Sequence, residues 1–212
     1  MTKKALRGLY AITDTKLLAS NFTEAIEQTL LGGTRVIQYR DKSSDTDRRL
    51  KEAQILRGLC DQYDATFIIN DDLKLAIESN ADGVHLGKDD HDIKLARQQL
   101  GHDKIIGISC YNQLQLALEA EQAGADYVAF GAFFNSSIKP NALAAPLSII
   151  GEAKTQIQIP VCCIGGITAE NASQLVDAGA DMIAVISEVF NPNNADQSIR
   201  EASHRLSQLF SA

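Results

Sequence analysis

Gln38, Arg40 and Lys42 alternate along one short stretch of this chain, QYRDK, and in an extended backbone alternate side chains share a face. Three donors converging on one volume, two of them cationic, suit a polyanion such as a diphosphate. A plainer reading is that these charges only carry a strand out into solvent. Asn70-Asp71-Asp72 and Asp89-Asp90 close two further apolar runs. Asp is a favoured helix N-cap, and helical pattern follows in both places, so capping accounts for part of this acid. With Asp72 and Asp92 as caps, Asp71 and Asp90 are left over. One or two carboxylates plus phosphate oxygens is the usual way Mg2+ is held. Acids beside Arg40 and Lys42 suit a bare anion poorly. They suit a Mg2+–diphosphate pair well.

The elements that would position these residues are eight short apolar runs: Leu9–Asp14, Arg35–Arg40, Thr66–Asp71, Gly83–Gly87, Ile105–Ser109, Tyr127–Gly131, Val161–Gly166 and Met182–Ser187. Continuously apolar strands are buried on both faces, as parallel strands under a layer of helices are. Helical pattern follows each run, at Phe22–Leu31, Asp45–Tyr63, Asp72–Ser79, Asp92–Leu100, Gln113–Gln122, Ala145–Thr155, Ala169–Ala178 and Asp196–Phe210. Eight such units predict an α/β fold, a single-domain (β/α)8 TIM barrel over residues 1–212 with its chemistry at the C-terminal strand ends. An internal repeat supports it. NADGVHLG, GADYVAFG and GADMIAVI each place Ala-Asp at a helix exit before a strand, with Gly124 and Gly179 as helix C-caps.

The barrel gives the remaining polar residues an address. Ser109 ends the fifth strand. Lys139 lies beside Ser136 and Ser137 in the long Asn-, Ser- and Pro-bearing loop 132–144 after the sixth, where function tends to concentrate. Gly165-Gly166 and Ile186-Ser187 follow strands seven and eight, whose loops commonly bind phosphate in this fold. A tight turn into the next helix would explain the glycines equally well. His85 lies inside strand four and reads as a satisfied core residue. No Ser/His/Asp or Cys/His nucleophile set is visible in the sequence.

Composition narrows the classes. A net charge of −7 over 212 residues argues against a nucleic-acid surface. No apolar stretch reaches membrane-spanning length and the start, MTKKALRGLY, has no apolar leader core. Cys60, Cys110, Cys162 and Cys163 have neither zinc nor disulfide spacing; Cys162 and Cys163 are expected on opposite faces of one strand. The expectation is a soluble cytoplasmic protein.

Taken together these segments resemble the thiamine-phosphate synthase (thiamine-phosphate diphosphorylase) family. The resemblance runs through YAITD, QYRDK, INDD, ADGVHLGKDD, GIS, GADYVAFGAFF, Lys139, IGGIT and GAD…VIS, nearly the whole chain in the family's order. It implies a pyrimidine diphosphate held by Gln38, Tyr39, Arg40, Asp41, Lys42, Asn70, Ser109 and Lys139. Of these, Arg40, Lys42, Ser109 and Lys139 are the catalytic group. It implies one Mg2+ per subunit on Asp71 and Asp90, and a thiazole phosphate on Ser136, Ser137, Ile138, Gly166, Ile186 and Ser187. There are departures. The family's P-T-x-T-K loop reads Asn135-Ser136-Ser137-Ile138-Lys139, and Lys88 and Asp89 stand where Gln and Glu are usual.

The implied reaction joins 4-amino-2-methyl-5-(diphosphooxymethyl)pyrimidine to a thiazole phosphate, giving thiamine phosphate and diphosphate, with CO2 from a carboxylated thiazole. The implied partners are these small molecules, with no nucleic acid and no membrane, and a homo-oligomer stays open. A thiazole tautomerase on the same barrel would need no diphosphate site. A sugar-phosphate isomerase or epimerase would need His85 as acid or base. A non-catalytic precursor sensor would not need the two magnesium carboxylates.

Overall fold

The computed structural model describes residues 4–18, 21–87, 93–134, 144–191 and 198–211. Within it the eight apolar runs form strands β1 (Gly8–Ile12), β2 (Val36–Tyr39), β3 (Thr66–Asn70), β4 (Gly83–Leu86), β5 (Ile105–Tyr111), β6 (Tyr127–Gly131), β7 (Val161–Ile164) and β8 (Met182–Val185). Neighbours pair in parallel in chain order, and β8 closes onto β1 through Gly8↔Met182 and Tyr10↔Ala184. This is the expected (β/α)8 barrel. The expected runs overshoot most strands by a residue or more at the C-terminal end, because Arg40, Asp71 and Gly165-Gly166 have already left the ladder. β5 instead runs on to Tyr111, with a register shift against β6 between Ser109 and Tyr111.

The helices are α1 (Thr15–Leu18), α2 (Phe22–Leu31), α3 (Thr46–Gln62), α4 (Leu73–Glu78), α5 (Ile93–Leu100), α6 (Leu114–Gln122), α7 (Ser148–Gln156), α8 (Ala172–Asp177), α9 (Ser187–Phe190) and α10 (Ile199–Ser207). The single turns α1 and α9 were not anticipated, since four residues carry too little periodicity to read. Asp14 nucleates α1 by accepting the Lys16 N–H at 2.9 Å. Asp45 caps α3 through the Arg48 N–H at 3.1 Å, and Asp72 caps α4 through the Leu75 N–H at 2.9 Å. Ala123 and Ala178 are the C-caps of α6 and α8, and Gly124 and Gly179 follow them, two residues past the helix ends, at φ of 94° and 105°, the conformation for which a chain exit favours glycine.

Strand alternation divides the core into two shells. Outward side chains such as Leu9, Ile37, Phe67, Ile69, Val84, Ile106, Phe130 and Cys163 pack beneath the helices. Inward ones, Tyr10, Ile12, Val36, Ile68, Ile105, Tyr127, Ala129, Cys162, Met182 and Ala184, fill the barrel. Cys162 and Cys163 fall in different shells, as alternation requires. All four cysteines are free and buried.

The Ala-Asp repeat has a physical explanation. Asp82, Asp126 and Asp181 each accept a backbone N–H from the first two residues of the preceding strand, at Phe67 of β3 (2.7 Å), Ile106 of β5 (2.8 Å) and Val161 of β7 (2.7 Å). Each also meets a cation from a helix: Arg57 at 3.0 Å, Arg97 at 2.7 Å and Lys154 at 2.8 Å. One carboxylate thus fastens a strand start, its neighbour and a helix at the N-terminal rim.

Candidate active site

At the opposite rim the strand ends surround a cavity of about 390 Å³, lined by Gln38, Arg40, Lys42, Asn70, Asp71, His85, Ser109, Gly165, Gly166, Ile186 and Ser187 among others. That size suits a small-molecule ligand. The structure therefore brings together residues from the ends of β2, β3, β4, β5, β7 and β8. Asp90, Ser136, Ser137, Ile138 and Lys139 lie outside the described residues.

β2 positions its donors by alternation. Gln38 is buried, 2% exposed, and its side chain turns inward to donate from Nε2 to Tyr10 Oη at 2.7 Å. Arg40 and Lys42 follow beyond the strand on the same cavity wall. Tyr39 and Asp41, which the resemblance carries into the pyrimidine site, turn the other way. Tyr39 Oη donates to Glu52 at 2.7 Å, and Asp41 accepts from Arg48 at 2.6 Å, both on α3. Neither side chain lines the cavity. An odd–even step along one strand separates ligand-facing from helix-facing groups.

Asp71 differs from Asp72 as the sequence suggested. Asp72 caps α4 and pairs with Arg49 at 2.8 Å, whereas Asp71 stands on the cavity wall. Its backbone is left-handed, φ 63°, and its N–H is anchored to the His85 carbonyl at 2.9 Å. Asn70 Nδ2 donates to its carboxylate at 2.6 Å. Non-glycine residues held in this region tend to sit at functional sites. Tyr111, on the same wall, is also left-handed, φ 54°.

The loops after β7 and β8 are built as one piece. Asn171 accepts the Thr168 N–H at 2.8 Å and donates to the Gly166 carbonyl at 3.0 Å, bracing the Gly165–Gly166 turn from behind. A Cβ on Gly165 would stand 2.4 Å from the Ala132 Cβ, so only glycine fits this close approach. Glu188 on α9 accepts the Ala169 N–H at 3.0 Å and joins the two loops; burial pushes its carboxyl above the ordinary range.

Some cavity residues went unanticipated. Tyr10, Ile12 and Cys162 line the wall, and the alternation of YAI and VCC was the signal that could have found them. His85 is both satisfied, as expected of a core residue, and part of the cavity: its Nδ1 lies 2.9 Å from Tyr127 Oη and its Nε2 2.9 Å from Ser109 Oγ. A Ser–His contact was not expected from the sequence, and here a tyrosine stands where a nucleophile set would have a carboxylate. Burial pushes the Cys162 thiol well above the ordinary range, which favours its protonated, less reactive form. Among the described residues no three His, Cys, Asp or Glu side chains come together to hold a metal unaided. A Mg2+ that keeps water and phosphate oxygens needs only one or two carboxylates, and Asp71 is a donor of that kind.

Comparison with known proteins agrees with this geometry. Residues 9–189 match the thiamine monophosphate synthase family. The thiamine-phosphate synthase of Thioalkalivibrio sulfidiphilus is 51% identical over 190 residues, 89% of this chain and 90% of that one. That of Nitrosococcus oceani is 50% identical over 207 residues, 97% of this chain and 94% of that one. The solved thiamine phosphate pyrophosphorylase from Pyrococcus furiosus superposes with a TM-score of 0.85 at 35% identity, covering 96% of this chain and 95% of that one. The chain belongs to the thiamine monophosphate synthase family.

Proposed function

We propose that this chain condenses 4-amino-2-methyl-5-(diphosphooxymethyl)pyrimidine with a thiazole phosphate to give thiamine phosphate and diphosphate, with loss of CO2 when the thiazole is carboxylated. The observation that carries the reading is the meeting of Gln38, Arg40, Lys42, Asn70, Asp71 and Ser109 with Gly166, Ile186 and Ser187 around one cavity. Donors for a diphosphate on one side and a glycine turn suited to a phosphate on the other make a two-substrate site.

The chemistry asks for no nucleophilic side chain. The C–O bond to diphosphate breaks first, the electron-rich aminopyrimidine stabilising the methylene cation. The thiazole nitrogen then supplies the electron pair of the new C–N bond. Arg40 and Lys42 draw the departing diphosphate by charge, and Ser109 adds a neutral donor, with Lys139 proposed to join them. Gln38 gives one amide N–H to Tyr10 and keeps its second N–H and its carbonyl oxygen for the pyrimidine. Gly166, Ile186 and Ser187, with Ser136, Ser137 and Ile138, hold the thiazole phosphate in line for attack. Asp71 with Asp90 would hold Mg2+, which when bound supplies charge neutralisation for the diphosphate. A cytoplasmic location belongs to the same reading, supported by four unpaired cysteines.

The test is diphosphate release by the purified chain given both precursors, with Mg2+ and with the metal chelated. Mg2+-dependent release with formation of thiamine phosphate is expected. Proton exchange on the thiazole without diphosphate release would make the chain a tautomerase instead.

A further inference from the structure

Five side chains from five strands are hydrogen-bonded end to end across the barrel interior. Gln38 Nε2 donates to Tyr10 Oη at 2.7 Å, Tyr10 Oη meets Tyr127 Oη at 2.8 Å, Tyr127 Oη meets His85 Nδ1 at 2.9 Å, and His85 Nε2 meets Ser109 Oγ at 2.9 Å. The Tyr127 ring occupies space that β5 vacates: a Cβ on Gly107 would fall 2.0 Å from its Cζ. The imidazole lies nearly parallel to that ring, with centroids 5.5 Å apart and planes inclined by 27°.

Counting protons gives the chain a direction. Tyr10 Oη accepts from Gln38, so its own proton goes to Tyr127 Oη, the other oxygen within reach. The Tyr127 proton then goes to His85 Nδ1. A neutral His85 carries its proton on Nε2 and donates it to Ser109 Oγ. The Ser109 proton remains for the cavity. Run in the opposite sense, the O–H of Tyr10, a side chain only 1% exposed, would need the Gln38 amide turned over so that its Oε1 accepts, in place of the Nε2 donation found here. Buried polar hydrogens rarely go unpaired. Burial pushes both phenols above their ordinary range, so each keeps the proton this count needs.

We propose that Tyr10, Tyr127 and His85 are positioning residues that fix Ser109 as a hydrogen-bond donor into the cavity, aimed at an oxyanion of the pyrimidine diphosphate. In this arrangement His85 is not a general base toward Ser109, because its Nε2 gives a proton to Oγ and does not take one. Ser109 acts as one preset donor to charge that builds on the leaving group. The donor's target rests on the reading of the cavity as a diphosphate site, whereas its direction does not.

Two measurements separate those parts. Ring-nitrogen NMR on the labelled full chain, with His85 assigned by its loss in His85→Asn, reads the tautomer without any substrate. An unprotonated Nδ1 and a protonated Nε2 are expected; a protonated Nδ1 would overturn the relay, whatever the reaction proves to be. Single-turnover diphosphate release at saturating substrate then reads the target. Ser109→Ala should slow it by about 10²-fold, and Tyr127→Phe by about tenfold with KM nearly unchanged. In the Ser109→Ala background, Tyr127→Phe should slow it no further. Equal slowing in both backgrounds would mean that Tyr127 is only structural and would overturn the proposal. Should Tyr127→Phe not fold, the tautomer of the unmodified chain decides.

Discussion

Arg97 Nη2 lies 2.7 Å from Asp126 Oδ2, and that same oxygen accepts the Ile106 backbone N–H at 2.8 Å. The pair ties α5 to the start of β5 and to the turn leading into β6, at the rim away from the cavity. Asp126→Ala takes the carboxylate from a partly buried guanidinium that keeps the Gly101, Lys104 and Gly124 carbonyls, and takes this acceptor from the Ile106 N–H. A hydrogen bond to a charged group is worth about 1.5–3 kcal/mol, and in a chain of this size each kcal/mol moves Tm by roughly 2–4 °C. Urea unfolding should show a loss of that order, with single-turnover chemistry in the folded protein unaltered. A changed chemical rate would mean that the N-terminal rim reaches the active site.

At the other end of the barrel, Asp71 and Asp72 should separate function from stability. Asp71→Asn should cut turnover by about 10²-fold or more while Tm stays nearly constant, because Asp71 is not the α4 cap. Asp72→Ala should do the reverse, removing the α4 cap at a cost of about 1 kcal/mol and leaving Arg49 without its partner. Thermal melts and steady-state rates on both variants check the contrast. Loss of stability in Asp71→Asn with full activity in the folded fraction would make Asp71 a structural residue.

The contrast between these neighbours also marks how much could be read from the sequence. The eight strands, their parallel burial and the split between Asp71 and Asp72 follow from short-range pattern, because strand period and capping are local properties. Tyr39 and Asp41 came out on the far side because resemblance transfers a motif as a block, whereas a strand deals its residues alternately to two faces. The Tyr10–Tyr127–His85–Ser109 chain was illegible for another reason. Tyr10 and Tyr127 are 117 residues apart, and only barrel closure brings β1 and β6 face to face across the interior.

Glu201 supplies a pH-dependent test at α10. Its carboxylate accepts the Ser198 backbone N–H at 3.0 Å and the Ser198 hydroxyl at 2.8 Å, completing a capping box. The backbone bond first, then the hydroxyl, holds its carboxyl below the ordinary glutamate range. Because the folded value is depressed, the contribution is present above the unfolded value and is lost as pH falls through the folded one. Glu201→Ala should therefore lower Tm near neutral pH, and the gap from the unmodified chain should narrow as the pH drops through the carboxylate range. A gap independent of pH would show that the ionised carboxylate contributes nothing to the cap.

Arg40 and Arg48 offer the clearest check on the chemistry, since they lie eight residues apart in sequence but serve different neighbours. Arg48 is committed to Asp41 at 2.6 Å, while Arg40 lines the cavity. A cation that acts on a departing diphosphate interacts more strongly in the transition state than in the ground state. Its removal then lowers the chemical rate and not substrate affinity alone. Arg40→Ala should slow single-turnover diphosphate release at saturating substrate by about 10²-fold. Arg48→Ala should loosen the β2–α3 connection, seen as a lower Tm, and leave that rate within about twofold. Weaker pyrimidine diphosphate binding with an unchanged chemical rate in Arg40→Ala would reduce Arg40 to holding the substrate, and the work on the leaving group would fall to Lys42 and Lys139.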